Sequence, residues 1–258
     1  MNQDERRIWL INKLLDETDK CQVNKMPETK VKQRELLRGL MNVRPPKPLT
    51  PEFIEVQDEY LRGRLAERGV VDVNNIPCID DRIALWQGDI TLLNADAIVN
   101  AANSQMLGCF IPNHHCIDNC IHTFAGCQLR LDCDMKMHDV GRVDMTADCL
   151  ITRAYNLPCK YIFHTVGPIV YGDLTEHNCR SLAACYNRCL DEADMMHLKS
   201  IAFCCISTGE FGFPNDTAAK IAVNTVKNYL AGNSTLEKVI FNVFKDIDLK
   251  LYSELLAQ

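Results

Sequence analysis

The sequence predicts an α/β fold in three α/β/α layers, with a mixed central sheet covered by helices on both faces and a helical extension in front of it. Three observations lead there. From Ile83 onward six short apolar runs alternate with helix-forming stretches, the pattern of a layered α/β domain. The runs are nearly continuous in hydrophobicity, as strands covered on both faces require. Residues 1 to about 80 hold no strand-like run at all. The expected organisation is therefore a helical extension over 1–80 and a sheet domain over 81–258.

Within the extension, Ile8, Leu10, Ile11, Leu14 and Leu15 fall on one helical face. A second helix is expected over 29–40, ending before the proline-rich NVRPPKPLTP (42–51). A third runs over 51–68, with Thr50 as N-cap and Pro51 at the first helical position. The extension reads as a docking or stabilising layer and offers no evident chemistry. In the sheet domain, IALWQGDIT (83–91), ADAIVNAAN (95–103), CLITRAYNLP (149–158), KYIFHTVGP (160–168), SIAFCCIST (200–208) and KVIFNVF (238–244) read as strands. Helices are expected over 116–137, broken near Gly126, and over 176–196, 215–230 and 248–256.

The 258 residues can bury a full core, and the composition is that of an ordinary globular protein, 47% hydrophobic and 24% charged. A net charge of −6 argues against a nucleic-acid or anionic-membrane surface. It leaves room for a small anion, which backbone N–H groups bind without lysine or arginine. No apolar run approaches the roughly 20 residues of a membrane span, and MNQDERRIWL lacks an apolar signal core. The fourteen cysteines, several of them inside strand-like runs, read as buried thiols in a reducing cytoplasm.

Ligands of such sheets bind where strands end and loops enter helices. Three loops there stand out: GDIT (88–91), NAANSQMLGCFIPNHHC (100–116) and STGEFGFP (207–214). In the third, Gly209 and Gly212 permit turns that aim consecutive N–H groups into a concavity suited to a phosphate or diphosphate. The second runs into LGCFIPNHHCIDNC (107–120), three cysteines and two histidines beside Asp118. Thiolates and imidazole are preferred zinc ligands, and a turn at Pro112–Asn113 would let Cys109, His114 and Cys116 share one ion. Spacing alone leaves zinc, unrelated thiols and a disulfide open. It also leaves His115, Cys120 and His122 as rival ligands.

Taken together, GDIT and LNADAIVNAAN (within 88–103), IDNCIHTFAG (117–126), CLITRAYNLPCKYIFHTVGP (149–168), ISTGEFGFP (206–214) and VIFNVF (239–244) resemble the macrodomain family of ADP-ribose-binding α/β/α modules. They stand in family order, and the nearest likeness is to the MacroD-type hydrolases. Where those carry a short glycine run before the aspartate, CFIPNHHC stands here. That replacement, with the helical extension, resembles the zinc-dependent macrodomains, whose ligands follow Cys-x4-His-x-Cys. The resemblance implies one zinc ion on Cys109, His114 and Cys116. It implies adenine recognition by Asp89 with Ile90 nearby and Phe244 (or Val243) alongside. It places Asn103 on the distal ribose, the residues Ser207, Thr208, Gly209, Glu210, Phe211 and Gly212 on the diphosphate, and Phe211 over the distal ribose.

The implied activity is zinc-dependent hydrolysis of the bond between C1″ of ADP-ribose and a modified protein side chain, with Asp118 and Asn103 as catalytic residues. Asp118 would position or deprotonate the attacking water. The partners are ADP-ribose and a mono-ADP-ribosylated protein. A reader module with a structural zinc, or a hydrolase of O-acetyl-ADP-ribose, would use the same pocket. His122 and His164 read as structural.

Overall fold

The computed structural model describes residues 1–17, 26–141 and 145–257. Seven strands form one sheet: β1 (Cys78–Asp80), β2 (Ile83–Gln87), β3 (Ala97–Ala101), β4 (Cys149–Arg153), β5 (Tyr161–Thr165), β6 (Ser200–Phe203) and β7 (Lys238–Val243). Their order is β1-β2-β7-β6-β3-β5-β4. The five inner strands run parallel, and β1 and β4 close the edges antiparallel. Six of the seven lie within the expected runs. The seventh, β1, is three residues of mostly exposed edge, too short and too polar to show a strand period.

The flanking helices are α4 (Ile117–Ala125), α5 (Cys127–Asp139), α6 (Glu176–Met195), α7 (Asn215–Leu230) and α8 (Asp246–Leu256). The expected break after α4 is real: Gly126 adopts φ 104°, a conformation only glycine takes readily. Helices α4 and α5 lie on β3 and β4, while α6, α7 and α8 pack side by side along the sheet. The core is continuous across the strands, with Ile98, Val99, Ile162, Phe163, Ile201, Phe203 and Val239 to Phe241 all but inaccessible.

In front of the sheet stand α1 (Gln3–Asp16), α2 (Lys30–Val43) and α3 (Pro51–Arg68). Thr50 caps α3 as expected, whereas Thr29, expected as the first residue of its helix, stands ahead of α2 and caps it. These helices share a second apolar cluster, built from Leu10, Ile11, Leu14, Leu37, Leu40, Phe53, Val56 and Tyr60, into which Cys127 of α5 inserts. The buried stripe of α1 is 7-10-11-14, so Ile8 is 38% exposed and Arg7 is inside. Arg7 is tolerated there because Gln33 Oε1 accepts from its Nε and Nη2 at 3.0 and 2.8 Å, and Asp4 from its Nη1 at 2.8 Å. Among the described residues no helix is long and apolar enough to cross a membrane, and every cysteine is a free thiol.

Candidate functional site

The parallel strands deliver their loops to one end of the sheet. Beyond β3 the chain turns through Gly108 (φ 80°), where a Cβ would stand 2.7 Å from His122 Cγ. It then doubles back at Asn113, which adopts φ 55°, and the His114 amide donates to Ile111 O at 3.2 Å. The result brings Cys109 Sγ within 3.5 Å of His114 Nδ1. The ligand atoms of Cys109, His114 and Cys116 all lie within 4.8 Å of one another. Two thiols and an imidazole so grouped are a donor set that suits zinc. Cys116 caps α4, its Sγ accepting from Asn119 N at 3.4 Å. Burial pushes this thiol up to about 12, with Cys109 and Asp118 adding to the effect. His115 is exposed, and neither it nor Cys120 joins the group.

Asp118, in the first turn of α4, is 5% exposed. Burial raises its carboxyl to about 6, against the opposing pull of the Asn100 amide and Arg130. Asn100 Nδ2 donates to Asp118 Oδ1 at 2.8 Å. Asn103 Nδ2 reaches Asp118 Oδ2 at 3.3 Å and Gly108 O at 3.1 Å. One amide thus ties the expected ribose-reading asparagine to the carboxylate and to the residue before Cys109. Behind them Asn100 Nδ2 also meets His164 Nδ1 at 3.0 Å, and His164 Nε2 meets Thr152 Oγ1 at 3.0 Å. Burial depresses His164 to about 3. His122 Nε2 lies 3.6 Å from Asp118 Oδ1; burial holds its ring neutral, and neither ring nitrogen has a hydrogen-bond partner. Asn100 escaped the sequence reading, although a polar residue inside the apolar run AIVNA was its signal.

At the other end of the loop cluster, Asp89 caps a 3-10 turn over Ile90–Leu92. Its Oδ1 accepts from Thr91 N at 3.0 Å and Thr91 Oγ1 at 2.6 Å, and its Oδ2 pairs with Arg68 of α3. The Arg68 guanidinium stacks 3.7 Å above the Phe124 ring. Ile90 is buried. Phe244 is 76% exposed, and the pairing of Gln87 with Val243 sets it beside Gly88.

The loop after β6 holds Ser207 at φ 66° and Gly212 at φ 67°. It is closed by Gly212 N to Gly209 O at 3.1 Å and Phe213 N to Ser207 O at 3.0 Å. Ser207 Oγ is buried without a partner in a notch that a Cβ at Gly167 would fill, 2.1 Å away. Among the described residues the amides of Gly209, Glu210 and Phe211 meet no acceptor, so three donors remain for an anion. Thr208 Oγ1 donates to Cys205 O at 3.0 Å, and Phe211 is half-buried, its carbonyl accepting from Val170 N at 2.9 Å. Glu210 bridges the two loops, its Oε1 3.7 Å from His114 Nε2.

The extension, expected to be inert, reaches this cluster. Besides Arg68, Arg38 of α2 donates to His114 O at 2.7 Å, and Asn42 Oδ1 accepts from Asn113 N at 2.9 Å. The contacts of Arg38 and Asn42 span 76 and 71 residues of sequence, so no local signal announces them.

The Macro domain family model matches residues 99–222. A relative from Treponema medium named protein-ADP-ribose hydrolase is 48% identical over 261 residues, covering all of both chains. One of the same name from Staphylococcus aureus (strain MRSA252) is 50% identical over 251 residues, 96% of this chain and 94% of its own. The Trypanosoma brucei macrodomain, solved in complex with ADP-ribose, superposes with a TM-score of 0.65 at 28% identity, covering 89% of this chain and 96% of that one. With its three-layer sheet, its loop cluster and relatives matched from end to end, the chain belongs to the macrodomain family.

Proposed function

We propose that the protein is a zinc-dependent hydrolase that removes mono-ADP-ribose from modified protein side chains, acting in the cytoplasm. The observation that carries this is the Asn103 amide, which joins the Asp118 carboxylate to the Gly108 carbonyl at the entrance of the Cys109–His114–Cys116 group. Support for the reading lies in this linkage of Asn103 and Asp118 to the residue before Cys109. The names of the relatives support the same reading.

In this reading Asp89 accepts from the adenine amino group, flanked by Ile90 and Phe244. The Ser207–Gly212 loop receives the diphosphate on its unpaired amides, and Phe211 covers the distal ribose. Asn103 holds the distal ribose hydroxyls and so fixes C1″ beside α4. Cys109, His114 and Cys116 would hold one zinc ion, which would supply a Lewis acid and orienting template. Asp118, anchored by Asn100 and Asn103, orients the attacking water and takes its proton. In this reading the extension covers 1–80 and the sheet domain 81–258, with edge strand β1 (Cys78–Asp80) pairing onto the sheet from the last residues of the extension.

The test is release of ADP-ribose from an automodified ADP-ribosyltransferase, before and after metal removal by a chelator. Release abolished on stripping and restored by zinc is expected. Full release by metal-free protein refutes zinc dependence. Tight ADP-ribose binding without release from any of Asp-, Glu-, Ser- or Arg-linked substrates makes the protein a reader.

A further inference from the structure

Cys120 is the unexplained member of the metal loop's surroundings. It lies four residues beyond Cys116, the N-cap of α4, about one helical turn along the chain. A fourth ligand would close the site, and a closed tetrahedral zinc is structural where an open one is catalytic. Yet Cys120 Sγ stands outside the donor group. Its hydrogen-bond donor is on α2. Arg38 Nη2 donates to Cys120 Sγ at 3.4 Å, and the same nitrogen donates to His114 O at 2.7 Å and Asn119 Oδ1 at 3.0 Å.

The three acceptors have different meanings. His114 O belongs to a metal donor residue, so the bond fixes the loop where that imidazole leaves it. Asn119 is itself committed to the loop, its Nδ2 donating to Cys109 O at 3.3 Å and Ile111 O at 3.0 Å. Cys120 is the rival donor, and here its sulfur faces the guanidinium, accepting the longest of the three contacts. Were Cys120 to turn away from the guanidinium, Arg38, whose Nε is already buried without a partner, would lose a second contact. The neighbouring turn of α2 adds close packing, with Gly39 so near that a Cβ would stand 3.3 Å from Asn113 Nδ2.

We propose that Arg38 is a positioning residue that sets the coordination number of the metal site, holding the loop by His114 O and Asn119 while withholding Cys120, so that three protein ligands and an open position result. The inference rests on the zinc reading above and extends it to the helical extension. Without Arg38 the thiol of Cys120 is free to rotate into the group and close it.

The experiment is cobalt(II) substitution of the full-length protein, read by the thiolate-to-metal charge-transfer absorption and the ligand-field bands. Wild type gives a two-thiolate signal, and Cys120→Ser leaves it unchanged. Arg38→Met keeps the apolar stem but has no donor; the charge-transfer band rises by roughly half, three thiolates replacing two. Arg38→Met/Cys120→Ser returns it to the wild-type level, and Arg38→Lys, which keeps one donor and the charge, stays near wild type. An Arg38→Met spectrum equal to wild type overturns the role of Arg38 alone. A loss of about one third of the band in Cys120→Ser, which needs no change at Arg38, overturns it too, because Cys120 is then already a ligand. No thiolate band in wild type overturns the zinc reading itself and the inference with it.

Discussion

His164 sits fully buried behind Asn100 and Asp118, and its burial makes the fold acid-sensitive in a calculable way. In the folded protein the imidazole titrates at about 3, whereas in the unfolded chain it titrates near its ordinary 6.5. Below about 6.5 the unfolded state takes up a proton that the native state refuses, so stability falls with pH through the window from 6.5 to 3. At pH 5 the unfolded ring is about 1.5 pH units below its midpoint while the native ring is still neutral. At roughly 1.36 kcal/mol per unit, His164 costs about 2 kcal/mol of stability between pH 7.5 and pH 5. Asp118 works the other way, its raised carboxyl gaining a proton in the native state first, so total stability conceals the term. The assay is therefore a difference: urea unfolding at pH 7.5 and pH 5 for wild type and for His164→Gln, which cannot titrate. Any metal lost with acid is lost from both proteins and cancels. The variant should lose about 2 kcal/mol less than wild type over this interval. Equal losses would show that His164 is protonated in the native state or accessible to water, and the argument from burial would fail.

Asp89→Ala removes a charged acceptor worth roughly 1.5–3 kcal/mol and should weaken ADP-ribose binding by roughly 10- to 150-fold in calorimetry; unchanged affinity would remove Asp89 from adenine recognition. Gly108→Ala combines a left-handed φ of 80° with a Cβ 2.7 Å from His122 Cγ. It should lower the unfolding free energy by roughly 2–5 kcal/mol, and a loss under about 1 kcal/mol would mean that the turn relaxes freely. Cys109→Ala and His114→Ala should each abolish stoichiometric zinc by elemental analysis while His115→Ala retains it, and the reverse order for the two histidines would reassign the ligand.

Much of this was legible in the residues because local chemistry dictates it. The parallel strands announce themselves as apolar runs since both faces are covered, and Gly126 divides α4 from α5 at the residue that can adopt φ 104°. The close approach of Cys109 and His114 follows from a turn that Pro112 and Asn113 advertise. What escaped is what depends on distant apposition. Edge strand β1 has no buried face to impose a period. Arg38, Asn42 and Arg68 look like ordinary solvent-facing helix residues until packing sets them against His114, Asn113 and Asp89. Asn100 was overlooked within its apolar run, though its two buried partners, Asp118 and His164, are the reason a polar residue stands there.

The hold of α2 and α3 on both ends of the loop cluster bears on inheritance. A cysteine–histidine loop without helices to brace it, or the helices without such a loop, would be half of a mechanism. Domain shuffling that moved the sheet alone would carry Asp89 without Arg68, and the Cys109–His114–Cys116 loop without Arg38 and Asn42. Extension and metal loop should therefore be gained, kept and lost together. A relative that has one and lacks the other is the place to look for a protein that still folds and no longer turns over.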